Sequence, residues 1–351
     1  MRVKIKLKDY TVEVGDGLPT HLISEIGLNH NGSLDLAKEM ILQSALSGAS
    51  MVKFQKRFPS TLAVSEFLDE EFPKAPVFGS TQREVRDNLE LSFEEYRILK
   101  DYSESLGLIF FATAFDLDSL QFLLDLKVPL LKIASHSVTN GELLDAIAKT
   151  GLPVIVSFGA TTELERDYAV KKLANNPLII MHCVSSYPTS DDIVNIDTIA
   201  YYRDKYKVPI GFSSHETGVD ISIAASLLGA CIIERHFTLN RAMIGLDHGI
   251  SLEPAEFAEM ALKISRLTKI RGISKDLNSN ELSTKNKYHV AVCSTHELPQ
   301  GHIITRNDLV CKQPLLSSEK YFTGTQIDDV VGKRVLKKIQ SDVQIPRSSV
   351  I

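Results

Sequence analysis

Short apolar runs rich in β-branched residues recur between residues 21 and 237, and most are separated by stretches with helical periodicity. Near-continuous apolar runs are typical of strands buried on both faces, as in a parallel sheet. We therefore predict eight strands, which cover His21–Gly27, Met51–Gln55, Leu108–Phe115, Leu130–Ser135, Pro153–Phe158, Leu178–Cys183, Pro209–His215 and Cys231–Phe237.

Two of the intervening helices have clear start and stop signals. Ser33 can cap a helix with an apolar stripe, and Gly48 lies beyond its end. Ser92 and Glu95 form a capping box before a second helix, which Gly107 ends. Eight strands alternating with helices match an α/β fold of the (β/α)8 TIM barrel type. A doubly wound open sheet is the competing architecture, but the sequence lacks its Gly-rich dinucleotide turn.

Four segments lie outside this repeat. Residues 1–20 carry an extra strand pair, which we expect at the base of the barrel. The long connection between Gln55 and Ser92 is either a lid over a binding site or a surface loop. Residues 272–286, rich in Ser, Asn and Lys, indicate a linker after a barrel domain of residues 1–271. Residues 287–351 form a small β-rich domain that we expect to pack on the barrel or on a partner chain.

Composition and charge narrow the function classes. The 351 residues carry a net charge of −5, which gives no general attraction to nucleic acid or to an anionic membrane. No apolar run approaches the length of a membrane span, and the N-terminus lacks the apolar core of a signal peptide. The four cysteines are far apart and show no metal-binding spacing, so we expect reduced thiols in a cytoplasmic protein.

Chemically capable side chains stand at or just beyond nearly every predicted strand end, where barrel active sites lie. They are Glu25, Lys53, Gln55, Thr113, Lys132, Ser135, Ser157, Ser185, Tyr187, Ser213, His215, Glu234, His236 and Asp247. The two lysines together with the Ser and Thr hydroxyls suit a phosphate or a carboxylate. Any single serine could instead form a turn hydrogen bond, and Asp247 could bind a sugar hydroxyl or cap a turn.

A metal site is indicated where the last two strands end. His215 and His236 lie at the ends of adjacent predicted strands, and neighbouring strands are about 4.8 Å apart, so both imidazoles could reach one divalent ion. Either histidine could alternatively be a hydrogen-bonded core residue. Two nitrogen ligands with oxygen donors nearby suit Mn or Mg better than a closed structural Zn site.

The chain resembles the sialic acid synthase family, including its spore coat polysaccharide biosynthesis relatives, over nearly its whole length. Six motifs in order carry the resemblance: Glu25–Gly32, Val52–Gln55, Lys132–Ser135, His182–Cys183 with Tyr187–Thr189, Gly211–His215 and Glu234–Phe237. The tail from Lys287 resembles the family's antifreeze-like domain, which reaches over the partner subunit's active site in a domain-swapped homodimer.

The resemblance implies that phosphoenolpyruvate condenses with an open-chain amino sugar aldehyde, which releases phosphate and gives a nine-carbon 2-keto acid. It implies catalytic roles for Glu25, Lys53, Lys132, His215 and His236, the last two as ligands of the metal. Phosphoenolpyruvate would contact Lys53, Thr113, Lys132, Ser135, Ser157 and Ser213. The sugar would face Glu25, Gln55, Ser185, Tyr187, Asp247 and, from the tail, Gln313.

The chain departs from the family at three positions. Ser137 stands where the family has an acidic residue credited with acid/base work, so Glu25, Glu234, His136 or metal-bound water would take that role. Gln313 replaces the arginine of the tail motif, and Ser185 replaces a frequent asparagine, so a different acceptor sugar is expected. A metal-dependent barrel aldolase or isomerase, and a non-catalytic sugar-phosphate binder, are the alternative functions.

Overall fold

The computed structural model describes residues 1–314 and 319–351. Its strands are β1 (Arg2–Lys6), β2 (Thr11–Gly15), β3 (His21–Gly27), β4 (Met51–Lys56), β5 (Ile109–Ala114), β6 (Leu131–Ile133), β7 (Val154–Ser157), β8 (Leu178–Cys183), β9 (Ile210–Ser214), β10 (Ile232–His236), β11 (Ala291–Ser294) and β12 (Leu309–Lys312). Its α-helices are α1 (Leu34–Leu46), α2 (Pro59–Leu62), α3 (Ser65–Leu68), α4 (Gln82–Leu89), α5 (Phe93–Ser105), α6 (Leu117–Asp125), α7 (Gly141–Ala148), α8 (Glu163–Lys172), α9 (Thr198–Tyr206), α10 (Asp220–Leu227), α11 (Pro254–Ile270), α12 (Ser279–Tyr288) and α13 (Ile327–Val330).

Strands β3 to β10 form a closed parallel barrel in which β10 pairs with β3 and so completes the ring. Each matches one of the eight predicted strands with bounds shifted by at most two residues, so the barrel is confirmed and the open sheet is excluded. The register of the paired strands brings the chemically capable residues close together. Glu25 on β3 lies opposite His236 on β10 and opposite Lys53 on β4. Thr113 likewise lies opposite Gln55 and Lys132.

The amino-terminal strand pair closes the base of the barrel, as expected. β1 and β2 form an antiparallel hairpin, and the buried side chains of Val3, Ile5 and Val14 share one apolar cluster with barrel residues such as Ile23 and Ile155. This plug fills the amino-terminal ends of the strands with hydrocarbon, which leaves the opposite mouth of the barrel for polar side chains.

The predicted helix signals are confirmed. The Ser33 hydroxyl accepts a hydrogen bond from the backbone of α1, and Ser92 with Glu95 forms a reciprocal capping box at the start of α5. Gly107 follows α5 with a φ of 78°, a left-handed conformation that costs glycine little. The capping residues and the glycine therefore determine where α1 and α5 begin and where α5 ends before the next strand.

The long connection after β4 is folded onto the mouth of the barrel. It contains the short helices α2, α3 and α4, and Val85 and Leu89 of α4 pack against Leu28, which follows β3. The role of this segment, as a lid or as a decorated surface loop, stays a prediction.

The chain divides into two compact units, Met1–Arg271 and Gly272–Ile351. The second unit holds the antiparallel pair β11–β12 and its own small core, with Val292, Leu298 and Ile345 fully buried. Helix α12 occupies the second half of the segment that the composition indicated as a linker. Among the described residues, no helix combines the length and the apolar character that a membrane crossing requires.

Candidate active site

A cavity of about 680 Å³ opens at the carboxyl ends of the barrel strands. Every site residue predicted in the barrel lines it: Glu25, Lys53, Gln55, Thr113, Lys132, Ser135, Ser157, Ser185, Tyr187, Ser213, His215, His236 and Asp247. Gln313 lies in the second unit, where its Nε2 donates a hydrogen bond to the Lys287 carbonyl at 2.9 Å. The cavity has the size of an ordinary small-molecule site.

Two lysines and two glutamates form a buried ionic network on the cavity floor. Lys53 Nζ lies 2.7 Å from Glu25 Oε2, and Lys132 Nζ lies 2.9 Å and 3.0 Å from the two carboxylate oxygens of Glu234. Lys53 Nζ also lies 3.6 Å from Glu234 Oε1, so Glu234 faces both ammonium groups. All four side chains are buried, and two positive charges therefore balance two negative ones.

Burial and pairing shift the pKa values in this network in different directions. Burial would raise the pKa of Glu234, but the ammonium groups of Lys132 and Lys53 outweigh it and lower that pKa to about 2. Burial would lower the pKa of Lys53, but Glu234 and Glu25 outweigh it and raise that pKa. For Lys132, the effect of burial is larger than the opposing effect of Glu234, so the pKa of Lys132 is lowered. Glu234 is consequently a fixed carboxylate at neutral pH.

Hydroxyl groups surround this network. Thr113 Oγ1 accepts a hydrogen bond from Lys53 Nζ at 3.2 Å, and Ser213 Oγ donates one to Glu234 at 3.1 Å. Ser135 Oγ accepts a hydrogen bond from the backbone N–H of Gly159 at 2.9 Å. Ser157 Oγ is buried and has no hydrogen-bond partner among the described residues, so it can donate to a ligand in the cavity.

Gly159 allows the segments that carry Ser135 and Ser185 to approach its backbone closely. The sequence analysis did not identify this glycine. A Cβ atom at this position would stand 2.3 Å from Ser185 Oγ and 2.9 Å from Ser135 Oγ. Any side chain there would displace both hydroxyls, so the backbone itself forms this part of the cavity wall.

His215 and His236 are neighbours, with ring centroids 5.5 Å apart. His215 Nδ1 lies 3.0 Å from the Val184 carbonyl oxygen, which can only accept, so Nδ1 carries the proton and Nε2 keeps its lone pair. Burial and the neighbouring His236 lower the pKa of His215 to about 3, so this imidazole is neutral at physiological pH. His236 Nδ1 is buried without a hydrogen-bond partner among the described residues, and it lies 3.8 Å from Asp247 Oδ2.

This pair fits a divalent ion. Metal-binding imidazoles must be neutral, and a ligand histidine commonly donates a hydrogen bond from its second ring N–H to a carbonyl oxygen, as the Nδ1–H of His215 does. Among the described residues, no cluster of three or more His, Cys, Asp or Glu side chains has metal-site spacing. Two imidazoles would leave the remaining coordination positions to water and substrate oxygens.

The sequence reading also missed a basic rim, which comes from the connection after β4 and from the loop after β6. Arg57, Arg86 and His136 line the cavity beside the aromatic rings of Phe67 and Phe115. Their positions depend on how an irregular segment folds back on the barrel, which periodicity does not reveal. The available signal was weak, because the segment between residues 57 and 86 has three arginines, Arg57, Arg83 and Arg86, among several acidic residues.

Ser137, where the chain departs from its apparent family, is 2% exposed and is not among the residues that line the cavity. It lies in the short 3-10 helix Ser135–Thr139, and its hydroxyl has no hydrogen-bond partner among the described residues. Its neighbour His136 faces the cavity instead and stacks on Phe115 at 4.9 Å.

Comparison with known proteins gives consistent matches. The model of the NeuB family matches residues 40–276. The N-acetylneuraminate-9-phosphate synthase of Homo sapiens is 34% identical over 94% of this chain and 92% of its own length. The N,N'-diacetyllegionaminic acid synthase of Legionella pneumophila is 33% identical over 92% of each chain. A crystal structure of N-acetylneuraminic acid synthetase from Leptospira borgpetersenii, in complex with citrate, superposes with a TM-score of 0.68 at 34% identity and covers 81% of this chain and 97% of its own.

Proposed function

The chain belongs to the NeuB family, and from this membership we propose that it condenses phosphoenolpyruvate with an open-chain amino sugar aldehyde. The products are a nine-carbon 2-keto acid and inorganic phosphate. One observation carries the proposal: a single cavity brings two buried lysines and a set of hydroxyls together with a pair of imidazoles that fits a divalent ion. Relatives named as synthases of such acids span more than nine-tenths of the chain.

Phosphoenolpyruvate has two anionic groups, and the cavity floor supplies matching donors. Lys53 and Lys132 provide charge, and the unpartnered Ser157 hydroxyl provides a hydrogen bond. Thr113, Ser135 and Ser213 can turn their hydroxyls toward the same ligand. Because charged hydrogen bonds in a buried site are strong, these groups can hold the enol phosphate with C3 toward the imidazole pair.

A divalent ion, Mn or Mg, bound by His215 and His236 would supply Lewis acidity at the aldehyde oxygen. The residues of the chain orient the two substrates around that point. Burial keeps His215 neutral, with its Nε2 lone pair directed away from the Val184 carbonyl. The Tyr187 ring lies 4.2 Å from the His215 ring, and burial raises the Tyr187 pKa, so its hydroxyl stays protonated and can donate to a sugar oxygen.

The reaction forms one carbon–carbon bond and one carbon–oxygen bond from water, and it breaks the bond between C2 and the phosphate oxygen. The two protons of that water balance the new sugar hydroxyl and the released phosphate. C3 of the enol attacks the aldehyde carbon, and the aldehyde oxygen takes up a proton. Water then adds at C2, and phosphate leaves with the electrons of its bond to C2. We assign the proton transfers to Glu25, whose carboxylate lies between Lys53 and the Gln55 amide, 2.8 Å from Gln55 Nε2. Glu234 remains ionised and holds Lys132 in place.

The acceptor sugar would contact Gln55, Ser185, Tyr187 and Asp247 in the cavity. The family resemblance further suggests a homodimer in which Gln313 from one chain reaches the cavity of the other. Glutamine offers hydrogen bonds without the positive charge of arginine, which favours an acceptor that carries a neutral group at that contact.

Turnover of phosphoenolpyruvate with a panel of amino sugar aldehydes, in Mn or Mg, tests the proposal. We expect phosphate release together with a 2-keto acid whose mass is the sum expected for condensation. Lys132→Met should lower kcat/KM at least about a hundredfold, because it removes a preorganised charge at the reacting group. Lys263→Met, an exposed residue paired with Glu259, is the control. Phosphate release without a condensed product in the parent protein would contradict the proposal.

A further inference from the structure

His215 and His236 are neighbours in space, but the backbone holds them differently. His236 ends β10, where it lies opposite Glu25 on β3. The pairing of β10 with β9 stops one step earlier, where Arg235 lies opposite Ser214. His215 is the residue after Ser214, so it stands one position beyond the last paired residue of β9. The strand ladder therefore does not fix the separation between the two imidazoles.

The Arg235 side chain points away from the cavity that its two neighbours line. Successive side chains of a strand alternate between its faces, and Glu234 and His236 both face the cavity. The Arg235 side chain therefore lies between the barrel and its helices, where it is 1% exposed and Nη1 donates to Ser222 Oγ of α10 at 3.0 Å. A guanidinium is thus buried directly behind the imidazole pair.

This guanidinium binds the segment that continues from His215. Arg235 Nη2 donates to the carbonyl oxygen of Glu216 at 2.7 Å, and Nη1 donates to the carbonyl oxygen of Gly218 at 2.7 Å. Nη1 also lies 3.0 Å from Glu216 Oε1, which supplies the countercharge. Because Glu216 directly follows His215 and Arg235 directly precedes His236, these bonds connect the two histidines through their immediate neighbours.

The loop after β8 holds the other side of His215. The Val184 carbonyl oxygen accepts from His215 Nδ1 at 3.0 Å, and the Thr189 backbone N–H donates to the His215 carbonyl oxygen at 3.1 Å. The Arg235 contacts complete this arrangement from the side of β10. His215 therefore cannot move relative to His236 without breaking a hydrogen bond on one side or the other.

Stability alone does not account for a buried arginine at this position. Apolar side chains of similar volume often stabilise a protein core as well as a buried ion pair does. What the guanidinium adds is geometry, since its planar group directs several N–H bonds at fixed angles toward separate acceptors. A lysine ammonium, at the end of a flexible chain, does not impose that arrangement.

We propose that Arg235 is a positioning residue for the imidazole pair, and that it acts through the backbone of Glu216–Gly218 to set the separation of the two rings. The two carbonyl contacts carry the positioning, whereas the Glu216 carboxylate balances the charge. The inference rests on the proposed function, because it takes the pair as the site of a divalent ion. Groups that hold a metal ligand in place typically contribute about 10- to 100-fold to metal affinity.

Titration of the full-length protein with Mn²⁺ after chelation, followed by electron paramagnetic resonance, tests the inference without any turnover. The double variant Arg235→Met/Glu216→Gln removes the guanidinium without leaving a buried unpaired carboxylate. We expect its Kd for Mn²⁺ to rise about 10- to 100-fold. Glu216→Gln alone keeps both carbonyl acceptors, so its unfolding midpoint should fall while its Kd stays within about threefold of the parental value.

Arg203→Met is the matched control. Arg203 Nη2 donates to the carbonyl oxygens of Gly229 and Leu228, at 2.8 Å and 3.3 Å, before the start of β10. It holds a loop in the same manner at the opposite end of the strand, so its loss should leave the Kd for Mn²⁺ unchanged. Arg235→Lys is a second test that keeps the charge beside Glu216, and we expect a Kd between those of the parent and the double variant.

Parental Mn²⁺ binding by a folded double variant, or by Arg235→Lys if the double variant does not fold, would overturn the inference. Equal weakening by Arg203→Met would do so as well, because general loosening of the barrel would then explain both effects. If the parent binds no Mn²⁺, the proposed metal site fails, and hydrogen exchange decides the positioning role. Residues 214–219 should then exchange at least about tenfold faster in the double variant than in the parent, and equal exchange refutes the role.

Discussion

Replacing Glu234 by glutamine removes the carboxylate that faces both buried lysines. Its two oxygens lie 2.9 Å and 3.0 Å from Lys132 Nζ, and one lies 3.6 Å from Lys53 Nζ. The substitution keeps the shape of the side chain but leaves two buried ammonium groups with Glu25 as their remaining carboxylate. We expect a large loss of stability in the barrel unit.

The size of the loss follows from the pairing. The difference between the ordinary value of 4.5 and the pKa of about 2 at Glu234 corresponds to about 3 kcal/mol in favour of the folded state. Removing one partner of a buried ion pair typically costs about 3–5 kcal/mol, which agrees with that figure. For a unit of this size, the midpoint of thermal unfolding should fall by an amount on the order of 10 °C.

The difference between parent and variant should depend on pH in a defined way. A carboxyl with a lowered pKa in the folded state stabilises the fold above its unfolded value of 4.5, and this contribution is lost as the pH falls toward 2. In the variant, Lys132 loses the carboxylate that supports its charge, so its pKa falls further below 10.5. The variant therefore regains stability as alkaline pH removes that proton. The gap should be largest near neutral pH.

Scanning calorimetry or far-UV circular dichroism measures this effect, since the chain contains no tryptophan. Glu259→Gln is the control, because Glu259 forms an exposed pair with Lys263 on α11 and should cost less than about 0.5 kcal/mol. A Glu234→Gln loss below about 1 kcal/mol, or a gap that is constant from acid to alkaline pH, would refute the assignment of Glu234 as the countercharge of the two lysines.

Three further outcomes are expected. His215→Ala and His236→Ala should each bind less Mn or Mg than the parent after chelation and refilling, and unchanged metal content in both would place the ion elsewhere. Truncation before Gly272 should convert a dimer into a monomer by mass in solution, whereas a truncated dimer with parental substrate affinity would remove the swapped-tail arrangement. Glu25→Gln should lower kcat about 10²–10⁴-fold, as loss of an acid/base group does, and far more than Ser137→Ala; equal effects would reassign the proton transfers.

The barrel could be predicted because its strands are buried on both faces and so leave continuous apolar runs in the sequence. Strand bounds were predicted to within two residues, and the caps at Ser33 and Ser92 marked helix starts because their side chains bond to the adjacent backbone. Helix α12 was missed, since all its residues are exposed and a polar helix without an apolar stripe resembles a linker in composition.

The floor of the cavity could also be predicted, because a barrel necessarily gathers its strand ends at one mouth. Residues as distant in the chain as Glu25 and Glu234 thereby approach the same lysine. The rim could not be predicted in this way. Arg57 and Arg86 reach the cavity through an irregular connection whose path depends on packing of α4 against Leu28. The roles assigned to the lining residues remain predictions until the variants are measured.

The charge balance of the cavity floor explains why substrate recognition needs more than the two lysines. Lys53 and Lys132 already have carboxylate partners, so an incoming anion gains less from them than from free ammonium groups. The ligand must add interactions that the protein alone does not satisfy, and the buried Ser157 hydroxyl and Arg57 Nη2 are such positions. They lie at the floor and at the rim respectively. A phosphoenolpyruvate held on the floor would present its C3 toward the imidazole pair, which is the arrangement that the proposed condensation requires.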